Sequence, residues 1–332
     1  MRAAVGVAVS GLFFWLILKT IPLSDLLVAV RAADVGWILI SLAFFILGYA
    51  CRIWRWRLML ASYNPELGWG RCSVPFMASI AANNVLPFRA GDALRAVAFS
   101  GWLGVPTARV LATLLAERLM DLLSLLLALA LTLTVFSFDG GKLDALFGWS
   151  ASFFVLVTVA VALVLVFPGI LHPVVRWLVS RLSGRAPALA AKLDAQVNHL
   201  FETLKTLAQR SRMVVLLAWS FLAWSFEACV FYAVARALPD ITTPAAAWFA
   251  MPVGTLSTLL PSTPGYIGTF HYFVMEAARS LDNPEIAAAA FAVLAHLALY
   301  VPATLWGGLS FGYWVLTRAN TGPASSEKVR SR

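Results

Sequence analysis

Ala81-Ala82-Asn83-Asn84-Val85-Leu86-Pro87-Phe88-Arg89-Ala90-Gly91-Asp92 interrupts an apolar run over 73–100. Proline removes a backbone donor and clashes with the preceding turn, so no single regular helix continues through Pro87. A second apolar run, 245–281, is broken at Leu259-Leu260-Pro261-Ser262-Thr263-Pro264-Gly265-Tyr266-Ile267-Gly268. What these breaks mean depends on the solvent around them.

That solvent is a bilayer. The chain has 332 residues, 61% hydrophobic and 12% charged, with mean hydropathy +0.83. Soluble domains carry about 25% charged residues. A span needs roughly 20 apolar residues, and uninterrupted runs cover 3–22, 35–54, 107–136, 146–167, 213–237 and 286–316. The first follows Met1-Arg2 and reads as an uncleaved span rather than a signal peptide, since no small-x-small site leads into a soluble domain. Tryptophans such as Trp54, Trp56, Trp69, Trp149, Trp177 and Trp314 sit near span ends, as an aromatic belt does.

The net charge of +9 comes from short segments between apolar runs, a positive-inside pattern rather than a nucleic-acid face. Arg52, Arg55, Arg57 and Arg71 mark one basic loop, 168–212 another, and the tail after Arg318 a third. The loops around 19–34, 137–145 and 236–244 are nearly balanced. Both termini are therefore expected in the cytoplasm of a cell inner membrane. The alternation closes if 73–100 and 245–281 are re-entrant hairpins, one from each side; a pair of full spans is the alternative. Irregular backbone at such depth belongs inside protein or along a wet cavity.

The expected fold is an all-α polytopic membrane domain over 1–318, with six full spans and two hairpins. Within 168–212, Leu189, Leu193, Val197, Leu200, Leu204 and Leu207 recur at helical spacing. They predict a helix on the cytoplasmic membrane surface or, equally, a connecting helix with a packed face. Residues 319–332 read as a disordered tail.

Leu86-Pro87 with Gly91 resembles Leu260-Pro261 with Gly265. Pro106 and Pro284 each open a long helix, carrying Glu117 and His296 respectively. Halves 35–136 and 213–316 thus read as an inverted-topology repeat, which puts a transporter's substrate site near the membrane midplane.

Several polar residues could carry chemistry. Arg89, Asp92 and Arg95 share a face if a helix restarts after Pro87. Two guanidinium groups around one carboxylate suit a lipid phosphate, or form a clasp holding the hairpin. Asn83 and Asn84 can bind substrate or satisfy freed backbone. Glu117, Arg118 and Asp121 lie inside an apolar helix, where charges are costly and are functional or paired. Glu227 is the only carboxylate of its span, a candidate counter-charge or proton carrier. His271 and His296 could titrate in a wet cavity or serve as packing residues, with Tyr300 on the face of His296. Gly265 and Gly268 permit close approach beside Ser262, Thr263 and Pro264. Cys51, Cys72 and Cys229 form no disulfide or metal pattern, and no cofactor or nucleotide motif is legible.

Asn84-Val85-Leu86-Pro87-Phe88-Arg89-Ala90-Gly91-Asp92-x-x-Arg95, then Glu117-Arg118-x-x-Asp121, then Pro261-Ser262-Thr263-Pro264-Gly265-Tyr266-Ile267-Gly268-Thr269-Phe270 resemble the lysylphosphatidylglycerol synthase transmembrane-region family, whose members are also called flippase-like domain proteins. The resemblance implies a lipid-handling domain without the soluble synthase domain of bifunctional relatives, acting on aminoacyl-phospholipid, polyprenyl-linked or other specialised lipid. The family often has Glu where His271 stands. The expected activity is lipid translocation. The alternatives are a membrane enzyme modifying a headgroup and an accessory subunit beside a synthase or glycosyltransferase.

Overall fold

The structure, a computed structural model, describes residues 11–13, 15, 22–86, 89–136, 143–183, 187–260 and 263–320. The predicted first span and the tail lie almost wholly outside these, as do Pro87, Pro261 and Ser262. All regular structure among the described residues is helical. Four helices are long and apolar enough to cross a membrane: Val35–Leu60, Thr107–Val135, Ser211–Ala237 and Glu285–Arg318. A bent pair, Phe154–Val166 with Pro168–Arg181, would make a fifth.

The helices are α1 (Leu23–Arg31), α2 (Val35–Leu60), α3 (Trp69–Val85), α4 (Ala90–Val97), α5 (Ser100–Leu103), α6 (Thr107–Val135) and α7 (Leu143–Val166), followed by α8 (His172–Ser183), α9 (Pro187–Leu207), α10 (Arg210–Ala237), α11 (Ala246–Ser257), α12 (Thr269–Arg279) and α13 (Glu285–Asn320). The α1 helix falls in a stretch that the charge balance assigned to a loop. Asp34 caps α2, its carboxylate accepting from the amides of Gly36 at 2.6 Å and Trp37 at 3.3 Å. The Asp34 amide donates to the Ala237 carbonyl at 2.8 Å, tying the start of α2 to the end of α10. At their other ends Arg212 donates to Ser62. The two helices are therefore antiparallel neighbours along their whole length.

Each interrupted segment is a helix that stops, turns and packs back on itself. α3 lies against α4, and α11 against α12. Gly91 is required by this approach: a Cβ there would stand 2.0 Å from the Ser79 carbonyl oxygen. Past the break, Arg89 adopts a left-handed conformation at φ 52° and α4 starts at Ala90. In the second segment Tyr266 does the same at φ 57°. A bulky residue is rarely found there.

These left-handed residues shift the internal match by three positions. Pro75 and Pro87 are twelve residues apart, as are Pro252 and Pro264; Arg89 and Tyr266 each follow two residues later, and Gly91 and Gly268 two after that. The backbone thus pairs Pro87 with Pro264, whereas the sequence reading paired it with Pro261. Packing follows the same exchange. With α2 matched to α10, α3 to α11, α4 to α12 and α6 to α13, every closely packed helix pair in the set has its counterpart. The α3–α13 pair answers α11–α6, α2–α3 answers α10–α11, and α2–α10 answers itself.

The 168–212 segment holds two helices, α8 and α9, joined side by side, and α9 packs on α6. Phe201, Leu204 and Leu207 are buried in the same core as Leu114 and Trp314. The packed face expected for this stretch is present. Trp56, expected in an interfacial belt, is wholly buried.

Candidate functional site

The first hairpin, α6 and the α2–α10 pair bring together a chain of buried charges. Arg95 on α4 is inaccessible to solvent and directs two donors at Glu117 on α6, at 3.1 and 3.3 Å. Its guanidinium lies 4.9 Å from the Trp56 ring and 4.6 Å from Phe76, contacts that favour a cation in an apolar setting. Arg118, one residue after Glu117, reaches Glu117 at 3.3 Å, Asp92 at 3.2 Å and Asp121 at 3.8 Å. Asp92 also accepts from Asn83 at 3.0 Å and lies 3.6 Å from Arg95.

The chain continues through residues that sequence reasoning assigned to a loop. Arg55 pairs with Asp121 at 2.8 Å and donates to Ser220 at 2.7 Å, while Trp224 donates to Asp121 at 3.2 Å. Arg52 pairs with Glu227 at 2.6 Å and lies 4.5 Å from the Trp224 ring. Both arginines belong to α2, which runs six residues past the predicted span end at 54. The missed signal was their i,i+3 spacing, which places both on one helical face. Glu227 is indeed a counter-charge, and its partner is Arg52.

Four arginines (Arg52, Arg55, Arg95, Arg118) thus meet four carboxylates (Asp92, Glu117, Asp121, Glu227). Removing one member would strand its partner, at a cost of about 3–5 kcal/mol. Only Arg118 keeps a substantially open side chain, 35% exposed. Arg89 stands outside this balance: it precedes α4, rather than sharing its face, and has no ion pair among the described residues. Its charge still acts on the Asp92 carboxylate.

The second hairpin meets the first over α13. The turn Pro264–Tyr266 packs on α3. Gly265, at φ 75°, faces Tyr300, to which a Cβ would come within 3.0 Å. The Tyr300 hydroxyl donates to the Asn84 carbonyl at 3.3 Å, and the Asn84 amide donates to the Thr304 hydroxyl at 2.8 Å. His271 and His296 stand ring to ring at 4.7 Å, with Tyr300 5.1 Å beyond His296. Nδ1 of His271 accepts from the Gly268 amide, capping α12. Thr263 donates weakly to the Ile267 carbonyl at 3.5 Å. No cluster of three metal-ligating side chains occurs among the described residues.

Residues 3–307 match the family model described as the lysylphosphatidylglycerol synthase transmembrane region, and the chain belongs to that family. It is a membrane protein of a lipid-related family. No curated protein sequence matches it.

Proposed function

We propose that this chain is a lipid translocase that carries a phosphate-bearing lipid between leaflets. The carrying observation is the meeting of two hairpin breaks beside a partly open arginine, Arg118, and Arg89, which has no ion pair among the described residues. Planar guanidinium groups bind phosphate in a fork. The headgroup rests between these two cations, with Asn83, Asn84, Thr263 and Gly265 around it and the hydrocarbon chains in the bilayer. Arg95 serves as an anchor for Glu117 rather than as a headgroup contact, because it is fully enclosed.

In this reading the matched halves are an inverted repeat, since the paired helices α2 and α10 run antiparallel. The two hairpins are re-entrant, the first from the cytoplasm and the second from outside, and both termini are cytoplasmic in an inner membrane. Matched seams supply the alternation. The α3–α13 seam is tight: a Cβ on Gly307 would stand 2.2 Å from the Met77 carbonyl oxygen, and Asn84 bridges to Thr304. Among the described residues no side-chain hydrogen bond joins its counterpart, α6–α11. Transport opens the first seam as the second tightens. His271, His296 and Tyr300 line the moving junction and are available for coupling.

The test is transfer of a labelled anionic phospholipid across vesicles reconstituted with the full chain. Arg89→Gln leaves no described partner stranded, so it folds, and transfer drops at least about tenfold, the equivalent of one lost charge-assisted contact. Unchanged transfer by Arg89→Gln sinks the site. Mass spectrometry of the same lipid separates the enzyme alternative, in which the molecule changes rather than relocates. The accessory-subunit alternative predicts no transfer until a synthase or glycosyltransferase partner is added.

A further inference from the structure

The central charge cluster is electrically balanced and opens only at Arg118. A second polar site with open room lies elsewhere, where the end of α2 meets the start of α10. There a recess of about 390 Å³ is lined by Leu58, Ala61, Ser62, Ser211, Arg212, Val215 and Leu216. Ligand sites commonly occupy about 300–1,000 Å³.

The lining holds three polar side chains, Arg212, Ser62 and Ser211, beside apolar Leu58, Val215 and Leu216, of which Leu216 is buried. Arg212 donates to Ser62 and has no ion pair among the described residues. No carboxylate lines the recess, so its only formal charge is positive. One helical turn further along the same helices stand Trp54 and Trp219, with ring centroids 6.3 Å apart. Trp54 is 37% exposed, and beyond it Leu47 and Phe221 continue an outward apolar face. A cation and two hydroxyls at a helix end, beside an apolar lining and near a tryptophan pair, match the profile of a membrane lipid. A phosphate fits the polar side chains and an acyl chain fits the apolar face.

We infer that this recess binds the headgroup of an anionic phosphodiester lipid at the membrane surface, separately from the central cluster. A zwitterionic headgroup finds no carboxylate in the recess to meet its ammonium group, and a free phosphate leaves the apolar lining and tryptophan pair unused. The inference does not rest on the transport reading.

The tryptophan pair provides the reporter. Full chain in neutral detergent is titrated with phosphatidylglycerol brominated on its acyl chain, and then with equally brominated phosphatidylcholine. The fluorescence component removed by the double substitution Trp54→Phe and Trp219→Phe is followed. Phosphatidylglycerol should quench it with at least about fivefold lower half-saturation than phosphatidylcholine. Arg212→Gln should erase that preference, and Arg212→Lys should restore most of it. Arg212 is partly exposed in the first turn of α10, so these variants keep the fold, which an unchanged thermal transition verifies. Equal quenching by both lipids, an unchanged preference in Arg212→Gln, or displacement of the lipid by millimolar inorganic phosphate would each overturn the assignment.

Discussion

The two halves of this protein share one backbone plan and differ in what they bury. In α2–α6 the break and the helices around it carry charge: Arg52, Arg55, Asp92, Arg95, Glu117 and Asp121 are all in ion pairs. In α10–α13 the positions after the matching break are occupied by Tyr266, His271, His296 and Tyr300, in ring contacts and neutral hydrogen bonds. Glu227 is the one carboxylate that the second half gives to the cluster. What is common to both is backbone apparatus: proline twelve residues before the break, a left-handed residue after it, then glycine. Duplicated architecture thus rests on the devices that break and turn helices, while side-chain chemistry is free to diverge. In the transport reading proposed above, the ionic half fixes the structure and the neutral half moves against it.

The largest expected effect tests that division directly. Glu117→Gln strands the enclosed Arg95, and the chain should lose about 3–5 kcal/mol, seen as loss of the folded species in detergent denaturation. A well-folded Glu117→Gln protein would break the contrast between halves. Next comes Gly307→Ala, which drives a methyl group into the Met77 carbonyl and should cost about 1–3 kcal/mol. Its thermal transition should fall while tryptophan accessibility around Trp69 and Trp306, whose rings stand 6.5 Å apart, rises. Asn84→Ala removes the polar bridge of the α3–α13 seam, worth about 0.5–1.5 kcal/mol. It should raise the rate at which Ala81→Cys, buried in the same seam against Gly307, reacts with a membrane-permeant maleimide, and an unchanged rate would show that the seam is not held there. The smallest effect is expected in the neutral half: His296→Phe gives up one backbone hydrogen bond to Gly265, about 1 kcal/mol. A drop as large as that of Glu117→Gln would erase the distinction between the halves.

The breaks were legible because Pro87 and Pro264 carry their backbone consequences in their own chemistry. The long helices after Pro106 and Pro284 were legible for the same reason. The partners were not. Arg52 and Arg55 look like the start of a cytoplasmic loop to any count of positive charge, because such a count ignores which carboxylates approach from another helix. Asp121 comes to Arg55 across 66 residues of sequence, and Glu227 comes to Arg52 from still further along the chain. The match of Pro87 to Pro261 rested on letters alone. The left-handed backbone at Arg89 and Tyr266, invisible in either residue type, moves it to Pro264. The Arg89–Asp92–Arg95 spacing did predict the Asp92–Arg95 pair, but not that Arg89 would stand outside the helix.

The antiparallel contact of α2 with α10 sets a condition on biogenesis. A ribosome releases these helices in order, and each orientation is fixed by how many crossings came before. Among the described residues between α6 and α10, the long apolar helix is α7, which packs mainly on α6. In the reading above it makes the single crossing that hands α10 the opposite orientation from α2. An internal deletion of α7 would remove Val161 and Leu165 from the core and, in that reading, also invert everything downstream. Arg52 and Glu227 would then face opposite sides of the membrane. In that reading, the helix that lies between the two halves in sequence determines whether they can meet.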